Sequence, residues 1–164
     1  MILYVVRHGI AVDRTDPKCP SDPERPLTAR GVQKTRSAAL GFRELGAKPD
    51  AILTSPYLRA AQTAEIFAEA AGFPLDKIRA SEHLKPGGNP VEAAREVARL
   101  RAKEVACFGH APQLDQMIAY LAGAQAPFTE LKKAGAACLE QAGAQGRWEL
   151  RWMLAPKMLR DLGE

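Results

Sequence analysis

Apolar residues recur along this chain with two different spacings. Continuous apolar runs occupy residues 2–6, 51–54 and 105–108, and a weaker strand candidate lies at 78–81. Such runs are typical of strands that are covered on both faces, as in a parallel sheet. Longer segments between them carry an apolar residue every three or four positions, the spacing of a helix with one buried face. The alternation predicts an α/β domain with a mostly parallel sheet.

Capping residues set the expected bounds of the first two helices. Thr28 is a suitable N-cap residue, and Gly46 supplies the stop of the helix that follows it. Ser55 followed by Pro56 predicts the start of the second helix, which Gly72 ends.

Two further helices are expected in the second half of the chain. Residues 89–92 have the pattern of a capping box, and the helix that they open is expected to run to about Ala102. The helix after Pro112 places its apolar residues on one inner face, which comprises Leu114, Met117, Ile118 and Leu121.

The chain closes with a predicted hairpin. Residues 134–140 and 147–154 are expected to form antiparallel strands on either side of a turn that contains Gly143 and Gly146. The sheet should therefore be mixed. A chain of 164 residues that is 46% hydrophobic has enough apolar material for one core. We expect a single domain over residues 1–164, built as a three-layer α/β/α sandwich.

A long polar loop separates the first strand from the first helix. Residues 10–27 contain Pro17, Pro20, Pro23 and Pro26, too many prolines for a helix. Loops of this length in small domains are often functional.

Composition excludes several classes of protein. The three cysteines have no C-x-x-C spacing, which favours a reducing compartment and a cytoplasmic location. No stretch is long enough to span a membrane. The net charge of +4 favours anionic partners, although the basic residues are also spread as on ordinary solvated helices. A nucleic-acid partner is not expected, because no basic stripe is interleaved with aromatic residues.

Unusual polar residues follow three of the predicted strands. Arg7, His8 and Gly9 end the first, Arg59 lies just beyond the second, and His110 ends the fourth. Ligands of open α/β sheets bind at the carboxyl ends of strands. Two histidines and two arginines are therefore expected along one rim.

Arg59 occupies the first turn of its predicted helix, where the helix dipole disfavours a cation. A bound dianion would reverse that preference, because helix amino termini and arginines together bind phosphate. The alternative is that Arg59 only pairs with a nearby carboxylate.

His8 is the candidate nucleophile. Arg7 can donate a planar fork to phosphate oxygens, and Gly9 can offer its N–H to an anion. Neighbouring arginines should keep the imidazole neutral, the form that accepts a phosphoryl group. Alone, His8 and His110 could each be a packed structural histidine. A metal site built from His8, His83 and His110 is the competing use, but the chain lacks a matching ligand motif, so neither a metal nor another cofactor is expected.

Taken together, these residues resemble the histidine phosphatase superfamily. The matching segments are Arg7-His8-Gly9, Pro26-Leu27-Thr28 with Gly31, residues 54–64 and Gly109-His110, in that order. The short chain, Ala11 after the first motif and residues 84–89 are similar to the SixA-type phosphohistidine phosphatases in particular. The resemblance implies a phosphoglycerate mutase-like fold with His8 as nucleophile and Arg7, Arg59 and His110 as phosphate ligands. It also implies a leaving-group acid after the third strand, for which Glu82 and His83 are the candidates.

Three functions remain open at this point. The first is a metal-independent hydrolase that removes phosphate from phosphohistidine on a signalling protein, such as a histidine-containing phosphotransfer domain. The second is a general phosphomonoesterase for small phosphorylated substrates, with Glu82 as the acid. The third is a non-catalytic module that binds phosphate or phosphoproteins. Phosphoglycerate mutase activity is disfavoured because the chain has little room for segments that enclose a sugar phosphate. The sequence leaves the oligomeric state open.

Overall fold

The computed structural model describes residues 1–143 and 146–164. Within them, six strands form one sheet in the order β3-β2-β4-β1-β5-β6. The strands are β1 (Ile2–Arg7), β2 (Ala51–Thr54), β3 (Arg79–Ala80), β4 (Glu104–Gly109), β5 (Ala136–Ala142) and β6 (Arg147–Leu154). The α-helices are α1 (Ala29–Glu44), α2 (Leu58–Ala71), α3 (Pro90–Arg99), α4 (Gln113–Leu121) and α5 (Pro156–Leu162).

The sheet is mixed, as predicted. Strands β1, β4, β2 and β3 are mutually parallel, whereas β5 and β6 run antiparallel as the closing hairpin. Residues 144 and 145 of the predicted turn lie outside the described part of the chain. The flanking Gly143 and Gly146 both have positive φ values, which glycine adopts without a steric penalty.

Two apolar layers cover the sheet. Successive residues of β1 point to opposite faces, so Leu3 and Val5 belong to one core cluster while Tyr4 and Val6 belong to the other. The first cluster includes residues of α3 and α4, and the second includes residues of α1, α2 and α5. The three-layer α/β/α prediction is confirmed.

The predicted start of α2 was wrong by two residues. The helix begins at Leu58, with Tyr57 at the N-cap and no side-chain cap. Ser55 instead accepts a hydrogen bond from the Tyr57 N–H and contacts a histidine of the site described below. Arg59 still falls in the first turn, as expected.

The predicted end of α3 and its capping box also need correction. The helix ends at Arg99 because Arg101 adopts a φ of 50°, outside the helical region. The Asn89 side chain accepts from the backbone N–H groups of the first turn, as a cap should. Glu92 does not complete the box, because its carboxylate pairs with Arg95.

Helix α5 was not predicted, because seven residues are too few to show a helical repeat. It packs on α1 at Gly41, where an added Cβ would lie 1.7 Å from the Leu159 carbonyl oxygen. The absence of a side chain at Gly41 therefore permits this contact between the two backbones.

Among the described residues, no helix combines the length and apolar character needed to cross a membrane.

Candidate active site

Backbone pairing brings three strand ends together at one edge of the sheet. Strand β4 lies between β1 and β2, and all three run in parallel. Pairing continues just beyond them, since the His8 N–H donates to the Gly109 carbonyl and the Ser55 N–H donates to the Phe108 carbonyl. The segments that carry His8, Ser55 and His110 are thereby fixed side by side.

The hydrogen bonding of His8 determines which ring nitrogen carries the proton. Its imidazole is only 6% exposed, and Nδ1 lies 2.7 Å from the Gly9 carbonyl oxygen. A carbonyl oxygen can only accept, so Nδ1 must donate. In the neutral ring, Nε2 then keeps its lone pair, as a nucleophilic nitrogen requires.

The surroundings of His8 favour the neutral ring. Burial is the main cause that lowers the pKa of His8 from 6.5 to about 3, and the positive charges of Arg59, Arg7 and Lys133 lower it further. The hydrogen bond to Gly9 acts in the opposite direction but is outweighed. His8 is consequently neutral near pH 7.

We expect His8 to remain unprotonated as the free protein is acidified from pH 8 to pH 5, because its pKa lies near 3. The measurement is the imidazole Cε1–H chemical shift by NMR. The chain has three histidines, so single-histidine variants assign each signal. A midpoint near 6.5 for His8, the value of an unperturbed imidazole, would contradict the proposed environment.

His110 lies next to His8 in the site. The two ring centroids are 5.0 Å apart, and His110 Nε2 lies 2.9 Å from the Ser55 hydroxyl oxygen. Burial is the main cause that lowers the pKa of His110, followed by the charges around it. Nδ1 of His110 is buried and has no hydrogen-bond partner among the described residues. An incoming oxygen ligand can satisfy that nitrogen.

Arg59 is 2% exposed and is held by the proline-rich loop. Its Nη1 donates to the Asp22 backbone carbonyl, and its Nη2 lies 3.4 Å from the Asp22 carboxylate. The alternative expectation, that Arg59 pairs with a carboxylate, is thus also met. Asp22 is shared, however, because Arg14 and Arg25 each lie 3.2 Å from its Oδ1. Three guanidinium groups around one carboxylate leave a surplus of positive charge.

A cavity of about 280 Å³ is lined by the basic side chains of Arg7, His8, Arg14, Arg25, Arg59, His110 and Lys133. The cavity is smaller than most sites for drug-sized ligands and suits a small anion. Arg7 is oriented by a hydrogen bond to the Leu131 carbonyl, while the Nε atoms of Arg7 and Arg59 are buried without a partner in the described chain. A phosphate group could accept hydrogen bonds from these N–H groups.

The structure does not support the predicted role of Gly9 as a phosphate ligand. Its N–H donates to the Thr63 hydroxyl, 3.0 Å away, and Gly9 does not line the cavity. A Cβ at this position would lie 2.3 Å from the Thr35 hydroxyl oxygen. Gly9 therefore permits close packing against α1, and its carbonyl orients His8.

Glu82 and His83 do not line the cavity. They belong to a short 3₁₀ helix (Glu82–Leu84) that is anchored by the fully buried Leu84 side chain. The Glu82 side chain is 69% exposed and pairs with Lys85. The segment after β3 contributes Pro86 to the cavity instead. The structure therefore does not support either residue as the leaving-group acid.

Three further cations line the cavity that were not among the predicted site residues, namely Arg14, Arg25 and Lys133. The two arginines lie in the proline-rich loop, and the length of that loop was the only feature of the sequence that pointed to a functional role. No feature of the sequence pointed to Lys133. In the described ranges, no group of three or more histidine, cysteine, aspartate or glutamate side chains is placed to hold a metal ion.

Comparison with known proteins identifies a family and several relatives. The sequence profile of the histidine phosphatase superfamily (branch 1) matches residues 3–85. An uncharacterized protein of Picosynechococcus sp. is 37% identical over 149 residues, which is 88% of each chain. The phosphohistidine phosphatase SixA of Escherichia coli is 26% identical over 156 residues, covering 92% of this chain and 93% of that protein.

A solved structure has the same fold as this chain. The protein histidine phosphatase SixA, complexed with tungstate, superposes with a TM-score of 0.86. The superposition covers 97% of this chain and 99% of that one, at 24% identity. It shows the same arrangement of strands and helices over nearly the full length.

Proposed function

This chain belongs to branch 1 of the histidine phosphatase superfamily, which supports phosphatase activity, and we propose that it removes phosphate from phosphohistidine on a signalling protein. The expected partner is a phosphorylated protein such as a histidine-containing phosphotransfer domain. The name of the Escherichia coli relative, a phosphohistidine phosphatase, supports this substrate class. We extend the proposal to a cytoplasmic location, which suits the three free cysteines.

The proposed reaction has two phosphoryl transfers through His8. In the first, the Nε2 lone pair attacks phosphorus and a nitrogen–phosphorus bond forms on His8. The substrate's own nitrogen–phosphorus bond breaks, its electron pair goes to the substrate nitrogen, and the imidazole leaves neutral with a proton on its other ring nitrogen. In the second, water attacks the phosphoenzyme, inorganic phosphate leaves, and Nε2 recovers its lone pair. Metal independence is part of the proposal.

Arg7, Arg59 and His110 are proposed to hold the phosphoryl oxygens during both transfers. Charge that develops on those oxygens is stabilised by donors fixed in advance, which costs little reorganisation during the reaction. Arg7 and Arg59 are already anchored by Leu131 and Asp22 respectively.

The residues that line the cavity are the main support for phosphohistidine as the substrate. No carboxyl group lines it in the described chain, whereas arginine, lysine and histidine do. An alkoxide leaving group is strongly basic and needs a proton from a nearby acid. The imidazole of a phosphohistidine whose other ring nitrogen carries a proton leaves as the neutral ring, which is a far weaker base and needs no acid in the cavity. A cavity without an acid therefore favours phosphohistidine over alkyl phosphates.

We expect the protein to hydrolyse a phosphorylated histidine-containing phosphotransfer domain with a kcat/KM at least about 10²-fold above that for glycerol phosphate, the low end of the contribution of a general acid. Glu82→Gln should change either rate less than about twofold, because this exposed carboxylate can contribute only weakly from outside the cavity. Release of phosphate is measured for both substrates.

Equal rates on the two substrates would favour the general phosphomonoesterase instead. A loss of glycerol phosphate turnover in Glu82→Gln alone would restore Glu82 as the acid. Binding of phosphate without turnover of either substrate would favour the non-catalytic module.

A further inference from the structure

A second cavity adjoins the phosphate pocket. Its volume is about 680 Å³, and Arg7 and Lys133 line both cavities. It lies between the end of β1, the first turns of α1, residues 130–134 and the start of α5. We call it the basic groove, because its cationic side chains are Arg7, Lys34, Lys132, Lys133, Lys157 and Arg160, against the single carboxylate of Glu130.

Most of these cations have no carboxylate partner. Lys132 pairs with Glu130. Within residues 1–143 and 146–164, no ion pair forms at Lys34, Lys157 or Arg160. Lys34 and Arg160 are nevertheless half-buried. Partial removal of a charge from water without a partner is unfavourable, and an anionic ligand would offset that cost.

The walls of the groove indicate a ligand that is larger than a phosphate ion. Ile10, Ala155 and Pro156 add apolar surface between the cations. A ligand that matches both features carries several carboxylates along a chain that also has apolar groups. An acidic polypeptide segment has this composition.

We infer that the basic groove binds an acidic stretch of the phosphorylated substrate protein, next to its phosphohistidine. The inference rests on the proposed function, since the phosphoryl group would occupy the adjoining pocket at the same time. Arg7 and Lys133 lie where the two cavities meet, so one ligand can extend from one into the other. The groove would then select among phosphorylated proteins that the small pocket alone cannot distinguish.

Two synthetic peptides test the groove. One carries a histidine flanked by four glutamates, and the other has glutamines in their place. We expect the unphosphorylated glutamate peptide to bind about tenfold more tightly by fluorescence anisotropy, a difference that shrinks with added salt. The double variant Lys157→Glu/Arg160→Glu should remove the difference. The matched control is Lys77→Glu/Arg79→Glu, which makes the same charge changes in and beside β3, at the far edge of the sheet. This control should bind the glutamate peptide more tightly than the glutamine peptide, as the wild type does.

Equal binding of the two peptides, or equal losses in the two double variants, would overturn the inference. Binding of phosphatidylserine vesicles without any preference for the glutamate peptide would also overturn it. Hydrolysis of phosphoimidazole at the wild-type rate by both variants shows that their pockets are intact. Turnover of the phosphorylated glutamine peptide is followed separately. Its absence in the wild type would contradict the proposed function, while the binding data still decide the role of the groove.

Discussion

His8→Asn is expected to lower kcat on a phosphohistidine substrate by at least about 10⁴-fold, as removal of a covalent nucleophile does in other enzymes. Asparagine can still donate to the Gly9 carbonyl but offers no nitrogen lone pair for attack. Arg7, Arg59 and His110 remain in place, so phosphate binding should persist. Calorimetry with inorganic phosphate measures the binding, and a phosphate-release assay measures the rate.

His83→Asn is the matched control for this substitution. His83 is the one histidine of the chain that does not line the cavity, and its backbone carbonyl accepts from the Gln113 side chain. The substitution leaves that carbonyl intact, so activity should stay near the wild-type level. Comparable losses in both variants would mean that the effect of His8→Asn comes from general disruption of the protein.

Arg59→Ala is expected to lower kcat/KM by about 10²- to 10³-fold, the cost of losing one fixed donor to transition-state charge. Phosphate affinity should fall as well, because Arg59 is proposed to bind the ground state too. The substitution also removes one of the three guanidinium groups around Asp22. Circular dichroism and thermal unfolding show whether the fold is retained.

The exposed Arg36 of α1 provides the control, since Arg36→Ala makes the same chemical change outside the site. Its activity should match that of the wild type. A folded Arg59→Ala protein that loses less than tenfold in kcat/KM would remove Arg59 from the proposed phosphate pocket.

The convergence of His8, Arg59 and His110 could be predicted because it depends on regular elements. Parallel strands place their carboxyl ends on one edge, and each of these residues lies within a few positions of such an end. The short apolar runs located those strands. Arg59 could also be assigned to the first turn of its helix, although the start of that helix was misplaced.

Contacts that depend on loops could not be predicted in the same way. Asp22 reaches Arg59 only because the proline-rich loop packs on α2, and no local pattern encodes that contact. Glu82 follows β3 closely in the sequence, which made it a plausible leaving-group acid. Burial of Leu84 nevertheless fixes its segment so that the carboxylate remains in solvent.

No pattern in the sequence predicted the basic groove either. Its cations come from the end of β1, from α1, from the segment before β5 and from α5, a helix that the sequence pattern did not reveal. In the sequence, nothing distinguishes Lys34 and Arg160 from basic residues on an ordinary solvent-exposed helix face. Only the packing of α5 on α1 brings them to the same groove.

Trapping the phosphoenzyme tests the central claim most directly. Brief mixing with a phosphorylated phosphotransfer domain, an alkaline quench and mass spectrometry of the digested chain would locate the phosphoryl group. We predict a phosphohistidine at His8, attached through Nε2, that is labile to acid and absent from His8→Asn. Label on His110, or release of phosphate with no labelled enzyme at any time, would contradict the account.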